Sequence, residues 1–211
     1  MNKKSQYIIA LLVIVLATVS GILFSIWLNQ QQGLPQDMEA IVLPQSRPVA
    51  QFSMLDQNGQ AFGTEQLQGK WTFMFFGYTH CPDVCPTTLA VMNSVAQSIE
   101  DADGNLDQVQ FVFVSVDPDR DSPAQLKEYL GYFNKAFIGI TGERQQIDAL
   151  ARQMSVMYFL NNKTDKKDYS VDHSAAILLS EPSGGLRSLF NTPHIPESIL
   201  KSFKAIRKHY S

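Results

Sequence analysis

The chain of 211 residues carries 17 basic against 20 acidic side chains, a net charge of −3. No basic stripe runs through it, which argues against a nucleic-acid partner, and two cysteines are too few for a disulfide-stapled scaffold. The length suits a membrane or targeting segment plus one domain of about 170 residues with its own core.

Tyr7 to Leu28 is an almost uninterrupted apolar run, broken by Thr18, Ser20, Gly21 and Ser25. At 1.5 Å per residue it reaches about 33 Å, enough for a hydrocarbon core of roughly 30 Å. Lys3 and Lys4 precede it, and no Lys or Arg follows until Arg47. The positive-inside rule then leaves the amino end in the cytoplasm and the rest outside. The rival is a cleaved signal peptide cut near Ala17 to Gly21. The apolar run continues past that point to Trp27, so an uncleaved anchor is expected.

Asn29 to about Leu43 is Gln-rich and aperiodic, the composition of a tether. The expected organisation is a stub at 1–6, an anchor at 7–28, a tether at 29–46 and a folded domain at 47–211. Phe52-Ser53-Met54-Leu55 runs into Asp56-Gln57-Asn58-Gly59, a hairpin signal. Trp71 to Phe76 reads as a buried central strand, and Thr87 to Ala96 as a helix. The acidic stretch Asp101 to Asp107 is expected to be a solvated loop, since it lacks the ligand alternation of a calcium site.

Val109 to Val116 reads as a second buried strand, followed by a helix capped by Ser122 with Pro123 in its first turn. A short strand at Phe137 to Ile140 precedes a helix from Glu143 to Ser155, apolar at Ile147, Leu150, Ala151 and Met154. Met157 to Leu160 is expected to be extended, and Asn161 to Asp168 to be an exposed loop. Tyr169 to Ser174 leads into an apolar strand, Ala175 to Leu179. A turn at Ser183-Gly184-Gly185 returns the chain through Leu186 to Phe190, and a helix runs from about Pro196 to Tyr210. Alternating strands and helices closed by a hairpin and helix predict an α/β fold, a mixed sheet with helices on both faces.

Both cysteines lie in Gly77-Tyr78-Thr79-His80-Cys81-Pro82-Asp83-Val84-Cys85-Pro86, where the first buried strand hands over to a helix. A dithiol there is the thioredoxin arrangement. A structural disulfide is disfavoured, because closing so small a loop is worth only about 2 kcal/mol. A helix amino terminus biases a thiol toward thiolate, which serves redox exchange and metal binding alike. Exchange motifs usually have two residues between the cysteines, and this one has three. On a helix, positions i and i+4 share a face, so both sulfurs can point at one ion.

Two thiolates with an imidazole would suit copper or zinc. His209 and His194 read as surface or capping residues. His80 and His173 both remain open, with His173 favoured, because an i, i+1 neighbour of Cys81 points away from a shared face. Asp172 beside it is a candidate outer partner. Asp83 reads as an exposed turn residue, Asp117, Asp119 and Arg120 as a structural turn, and Phe76 and Tyr78 as core.

Three stretches together resemble the Sco/SenC family: the cysteine motif above, Val114-Ser115-Val116-Asp117-Pro118-Asp119-Arg120-Asp121, and Val171-Asp172-His173-Ser174. The resemblance implies a thioredoxin-like domain holding one copper ion through Cys81, Cys85 and His173. It implies supply of copper to the dinuclear centre of cytochrome c oxidase subunit II, or reduction of that centre's cysteines. A redox-active Cys81–Cys85 disulfide would then empty the site. Other copper carriers and a thiol reductant are the expected further partners. The protein would not be an enzyme, unless it acts as a thiol–disulfide oxidoreductase; a redox or copper sensor is the third alternative. The start of the chain lacks an Arg- and Ser-rich amphipathic leader, so the expected location is a bacterial cytoplasmic membrane, with the domain on the outer side.

Overall fold

A computed structural model describes residues 3–30, 34–35, 38–104, 106–161 and 169–210. The chain divides into two compact units, Met1–Asp37 with Phe203–Ser211, and Met38–Ser202. In the first, α1 (Lys3–Gln30) is a single helix. Its segment Lys4–Ile26 is the one helix among the described residues long and apolar enough to cross a membrane.

The second unit is a mixed sheet. Its elements are β1 (Ala40–Arg47), β2 (Ser53–Asp56), β3 (Ala61–Gly63), β4 (Trp71–Gly77), α2 (Val84–Asp103), β5 (Val109–Ser115), α3 (Pro123–Gly131), β6 (Ile138–Thr141), α4 (Arg144–Gln153), β7 (Tyr158–Leu160), β8 (Val171–His173), β9 (Ile177–Ser180) and β10 (Leu186–Phe190). The last helix, α5, spans Pro196–Tyr210. Eight strands lie in the order β1-β10-β9-β4-β5-β6-β2-β3. β4, β5 and β6 run parallel, and β9 pairs antiparallel with the other side of β4.

Every residue of β4 and β5 is buried, as a sheet covered on both faces requires. Alternation along β4 sends its side chains two ways. On one face the Phe73 ring stacks on Phe111 at 4.9 Å, and Phe113 meets Tyr129 of α3 at 6.0 Å. On the other, Met74, Phe76, Val112 and Val114 join Ile140 and the α4 residues Ile147 and Leu150 in one cluster. Helices therefore cover both faces, as expected.

Local chemistry fixes the ends of these elements. Asp56 accepts from the amides of Asn58 and Gln60, both at 2.8 Å, and Gly59 takes φ +76° in the β2–β3 turn. Ser122 Oγ accepts from Gln125 N at 3.2 Å and caps α3, the role its sequence position predicts.

The structure departs from the sequence reading in three places. Ala40–Arg47, all but its last residue inside the stretch that reads as tether, is a strand. It pairs with β10 through its backbone, so it needs no apolar alternation to form. The acidic segment stays helical to Asp103 and is stopped by Gly104 at φ +77°; only its end is loop. His173, expected to lie on the approach to the apolar strand, instead ends β8, which pairs with β7 in a separate two-stranded sheet. The loop expected from Asn161 to Asp168 falls, from residue 162, outside the described residues.

Candidate metal centre

The site begins where β4 ends. At Gly77 the sheet stops carrying side chains, and a β-carbon there would lie 2.5 Å from Cys85 Sγ and 2.9 Å from the Phe113 ring. Only hydrogen fits, and the vacant volume is filled by the sulfur. The chain then turns, with Cys81 N donating to the Tyr78 carbonyl at 3.2 Å, and enters α2 at Val84. Cys85 is therefore in the first helical turn, whereas Cys81 lies before the helix. The pair converges through a turn leading into a helix, not along one helical face as the i, i+4 spacing suggests.

β8 brings the third donor across. Cys85 Sγ lies 3.4 Å from His173 Nε2, and the donor atoms of Cys81, Cys85 and His173 all fall within 4.8 Å of one another. His173 Nδ1 lies 3.1 Å from the Ser174 carbonyl. A carbonyl only accepts, so this contact places the proton on Nδ1 and turns the Nε2 lone pair toward the sulfurs. The imidazole meets Phe75 and Tyr78 edge-on, at 5.8 and 5.9 Å between ring centres. Two buried aromatic walls thus limit its rotation.

Both cysteines are free thiols, Cys85 buried and Cys81 partly exposed. They are not equivalent. A hydrogen bond from the Cys85 thiol, aided by the amides of Cys85 and Asp83, outweighs desolvation and lowers Cys81 to about 4. Sharing that same proton, together with burial, pushes Cys85 up. The shared proton and the burial of Cys85 thus favour a thiolate on Cys81, just outside the helix, and not on the cysteine inside it. The sign follows directly: from about pH 5 upward Cys81 is already ionised, where an ordinary thiol would be protonated up to about 8.5. Alkylation of Cys81 by iodoacetamide should therefore proceed at a nearly constant rate from pH 5.5 to 8 and fall only near pH 4. A rate that climbs through pH 8 to 9 would show that the two sulfurs do not share a proton in this way.

The turn after β5 supports the site. Asp121, buried, accepts from Thr79 N at 3.0 Å, Thr79 Oγ1 at 2.7 Å and Ser115 Oγ at 2.7 Å. Burial raises its carboxyl above the ordinary range, and these hydrogen bonds oppose the rise. Asp117, also buried, receives Arg120 Nε at 2.5 Å and the Tyr169 hydroxyl. The other histidines point elsewhere. His80 Nδ1 lies 3.1 Å from Thr79 Oγ1, His194 Nε2 lies 2.7 Å from the Ala175 carbonyl, and His209 is exposed beside Tyr210. Asp172 is exposed, and it is the Ser174 carbonyl that engages the His173 ring. Among the described residues, the only group of three His, Cys, Asp or Glu side chains with converging donor atoms is Cys81, Cys85 and His173.

The SCO1/SenC family model matches residues 43–208. The chain belongs to the SCO1/SenC family. A Stutzerimonas stutzeri relative is 38% identical over 163 residues, which is 77% of this chain and 78% of that protein. The mouse mitochondrial SCO2 homologue is 38% identical over 158 residues, 75% of this chain and 60% of that longer protein. Among solved structures, copper-bound ScoI of Bradyrhizobium japonicum is 38% identical with a TM-score of 0.66, covering 74% of this chain and 98% of the other.

Within this SCO1/SenC domain, the sequence reading missed the environment more than the donors. Gly77 was visible as a glycine ending an aromatic strand, but nothing local says that its missing side chain makes room for Cys85. Tyr78 reads as core and Phe75 as part of a buried strand, and the two are also the walls around His173. Asp121 stood in a motif with no partner in view, because Thr79 lies 42 residues away in sequence.

Proposed function

We propose that this SCO1/SenC protein is a membrane-anchored copper-binding factor of cytochrome c oxidase assembly, holding one copper ion through Cys81, Cys85 and His173. The observation that carries this reading is the convergence of two sulfurs and one oriented imidazole nitrogen. That donor set suits a soft or borderline ion, and its sequence relatives include a ScoI that binds copper. Residues 7–28 serve as the anchor and hold the domain on the outer side of a bacterial cytoplasmic membrane. The following polar residues restrict its search to membrane-bound partners and so raise their effective concentration. The acceptor is the dinuclear copper centre of oxidase subunit II.

Three ligands leave room for an incoming thiolate, which permits handover one ligand at a time. Binding requires both sulfurs reduced, so formation of a Cys81–Cys85 disulfide releases the metal and couples occupancy to the redox poise of the compartment. The test is copper stoichiometry of the full chain in detergent. The dithiol form should bind one copper ion per chain and transfer it to a reduced peptide of the subunit II centre, while the disulfide form should bind none. Equal binding by both forms, or no transfer, would contradict the proposal.

The asymmetry of the thiols supports a second reading, reduction of the subunit II cysteines. The Cys81 thiolate would attack one sulfur of a partner disulfide, and the other sulfur would leave as a thiolate. Cys85, on losing its proton, would then attack Cys81 Sγ in the mixed disulfide. The partner leaves with both thiols reduced, and the protein keeps the Cys81–Cys85 disulfide. This chemistry needs both cysteines and not His173, which separates it from metal binding.

A further inference from the structure

His173 is carried on a weak support. β8 has three residues and pairs only with β7, through Tyr158↔His173, Phe159↔Asp172 and Leu160↔Val171, outside the main sheet. An isolated two-stranded ladder is marginal in water. Val171 of β8 is buried in the core cluster that also holds Phe76 and Tyr78, and the turn between β5 and α3 adds polar contacts just ahead of the strand.

We propose that Arg120 is the positioning residue that clamps the His173 strand to the cysteine turn. Its guanidinium spans two anchors. Nε donates to Asp117 Oδ2 at 2.5 Å, and Nη1 donates to the Tyr169 carbonyl at 3.0 Å. The guanidinium carbon lies 3.6 Å from the centre of the Tyr169 ring, whose hydroxyl closes the loop by donating to Asp117 Oδ1. Tyr169 stands two residues before β8. The same guanidinium carbon lies 5.6 Å from the Tyr78 ring, which in turn meets the His173 imidazole edge-on at 5.9 Å. The next residue, Asp121, grips Thr79 on the cysteine side. One short turn therefore holds both arms of the site, the cysteine arm through Asp121 and the histidine arm through Arg120.

The clamp needs the fork geometry of arginine. A lysine ammonium is a single point of charge and does not reproduce two fixed N–H directions plus a planar face over Tyr169. Losing the clamp should release His173 while leaving the sulfurs in place, because Asp121 holds the Thr79 side independently of Arg120.

This inference rests on the copper reading for its metal-dependent arm and not for its metal-free arm. In the metal-free dithiol protein, nitrogen-correlated NMR of the histidine side chains compares wild type, Arg120→Gln and Arg120→Lys. The expected result is a shifted and broadened His173 ring signal in both variants, with the His194 signal unchanged. In the metal-dependent arm, copper affinity is measured by chelator competition for Arg120→Gln, His173→Ala and the double variant. Arg120→Gln should weaken binding about 10- to 100-fold, the scale of losing an outer-shell support. In the His173→Ala background the same change should add almost nothing, because the ligand it positions is gone. An unshifted His173 signal, or an equal loss of affinity in both backgrounds, would overturn the clamp. If Arg120→Gln does not fold, Arg120→Lys decides: a wild-type His173 signal there overturns it. Wild type that binds no copper would defeat the copper reading alone, with the NMR comparison still deciding the clamp.

Discussion

Full-length His173→Ala is expected to lose copper affinity by more than about a hundred-fold, while keeping the thiol reactivity of wild type. The size follows from the donor count. Removing an outer support of a metal ligand typically weakens binding 10- to 100-fold, and this change removes the ligand itself. It leaves two sulfurs, held by the β4 end, the turn and the start of α2; the imidazole touches Cys85 Sγ at 3.4 Å but is the smallest of the influences on Cys81. His173 is only partly buried, so the alanine leaves no sealed cavity and the stability loss should stay near 1 kcal/mol. Chelator competition for the affinity and Cys81 alkylation for the thiols check the two halves separately. An affinity within tenfold of wild type would mean that the imidazole does not bind the metal. Loss of Cys81 reactivity would mean that the variant disturbs the turn as well.

Gly77→Ala should be nearly as damaging from a position that offers no ligand. The added carbon would stand 2.5 Å from Cys85 Sγ and 2.9 Å from the Phe113 ring, well inside van der Waals contact. Backbone strain is not the cause, since Gly77 does not occupy the left-handed region. The strand is fixed by seven register pairs with β5, and Phe113 packs against Phe75 and Tyr129. With strand and ring fixed, the displacement falls on the Cys85 sulfur, which is itself fully buried. Overpacking of this kind costs about 1–3 kcal/mol, and the displaced sulfur should lower copper affinity at least tenfold. Thermal unfolding and chelator competition read the two effects. Wild-type affinity in Gly77→Ala would show that the carbon is accommodated elsewhere, through the ring of Phe113.

The contrast between these residues explains what the sequence could reveal. Cys81 and Cys85 announce themselves by chemistry and spacing, and the strand before them by its unbroken apolar run. Ser122 and Asp56 act within a few residues of themselves, so their caps and turns are readable locally. The parallel centre of the sheet follows from alternating strands and helices. His173 could be favoured over His80 but not placed, because its strand is three residues long and belongs to a second sheet that no periodicity marks. β1 was hidden for a related reason: its pairing with β10 is backbone to backbone, and its side chains are half exposed. Asp121 and Arg120 act through Thr79 and Tyr169, tens of residues away, and Gly77 acts through the Phe113 ring and a sulfur that only the intervening turn brings back to it. Their types were plain in the sequence, whereas their roles depend on which segments fold against one another.

The thiol asymmetry carries a similar lesson. The sequence biases a thiol at the helix terminus toward thiolate without choosing between Cys81 and Cys85. The hydrogen bond between them and the burial of Cys85 place it on Cys81. The more accessible sulfur is thereby the ionised one, as either metal entry or attack on a partner disulfide requires.

Copper K-edge X-ray absorption of the full-length dithiol protein, loaded with one equivalent of Cu(I), tests the central claim most directly. Two sulfur neighbours and one nitrogen neighbour, with the nitrogen lost in His173→Ala, is the result expected from a site of Cys81, Cys85 and His173. A shell of sulfur alone in wild type, unchanged by His173→Ala, would contradict it.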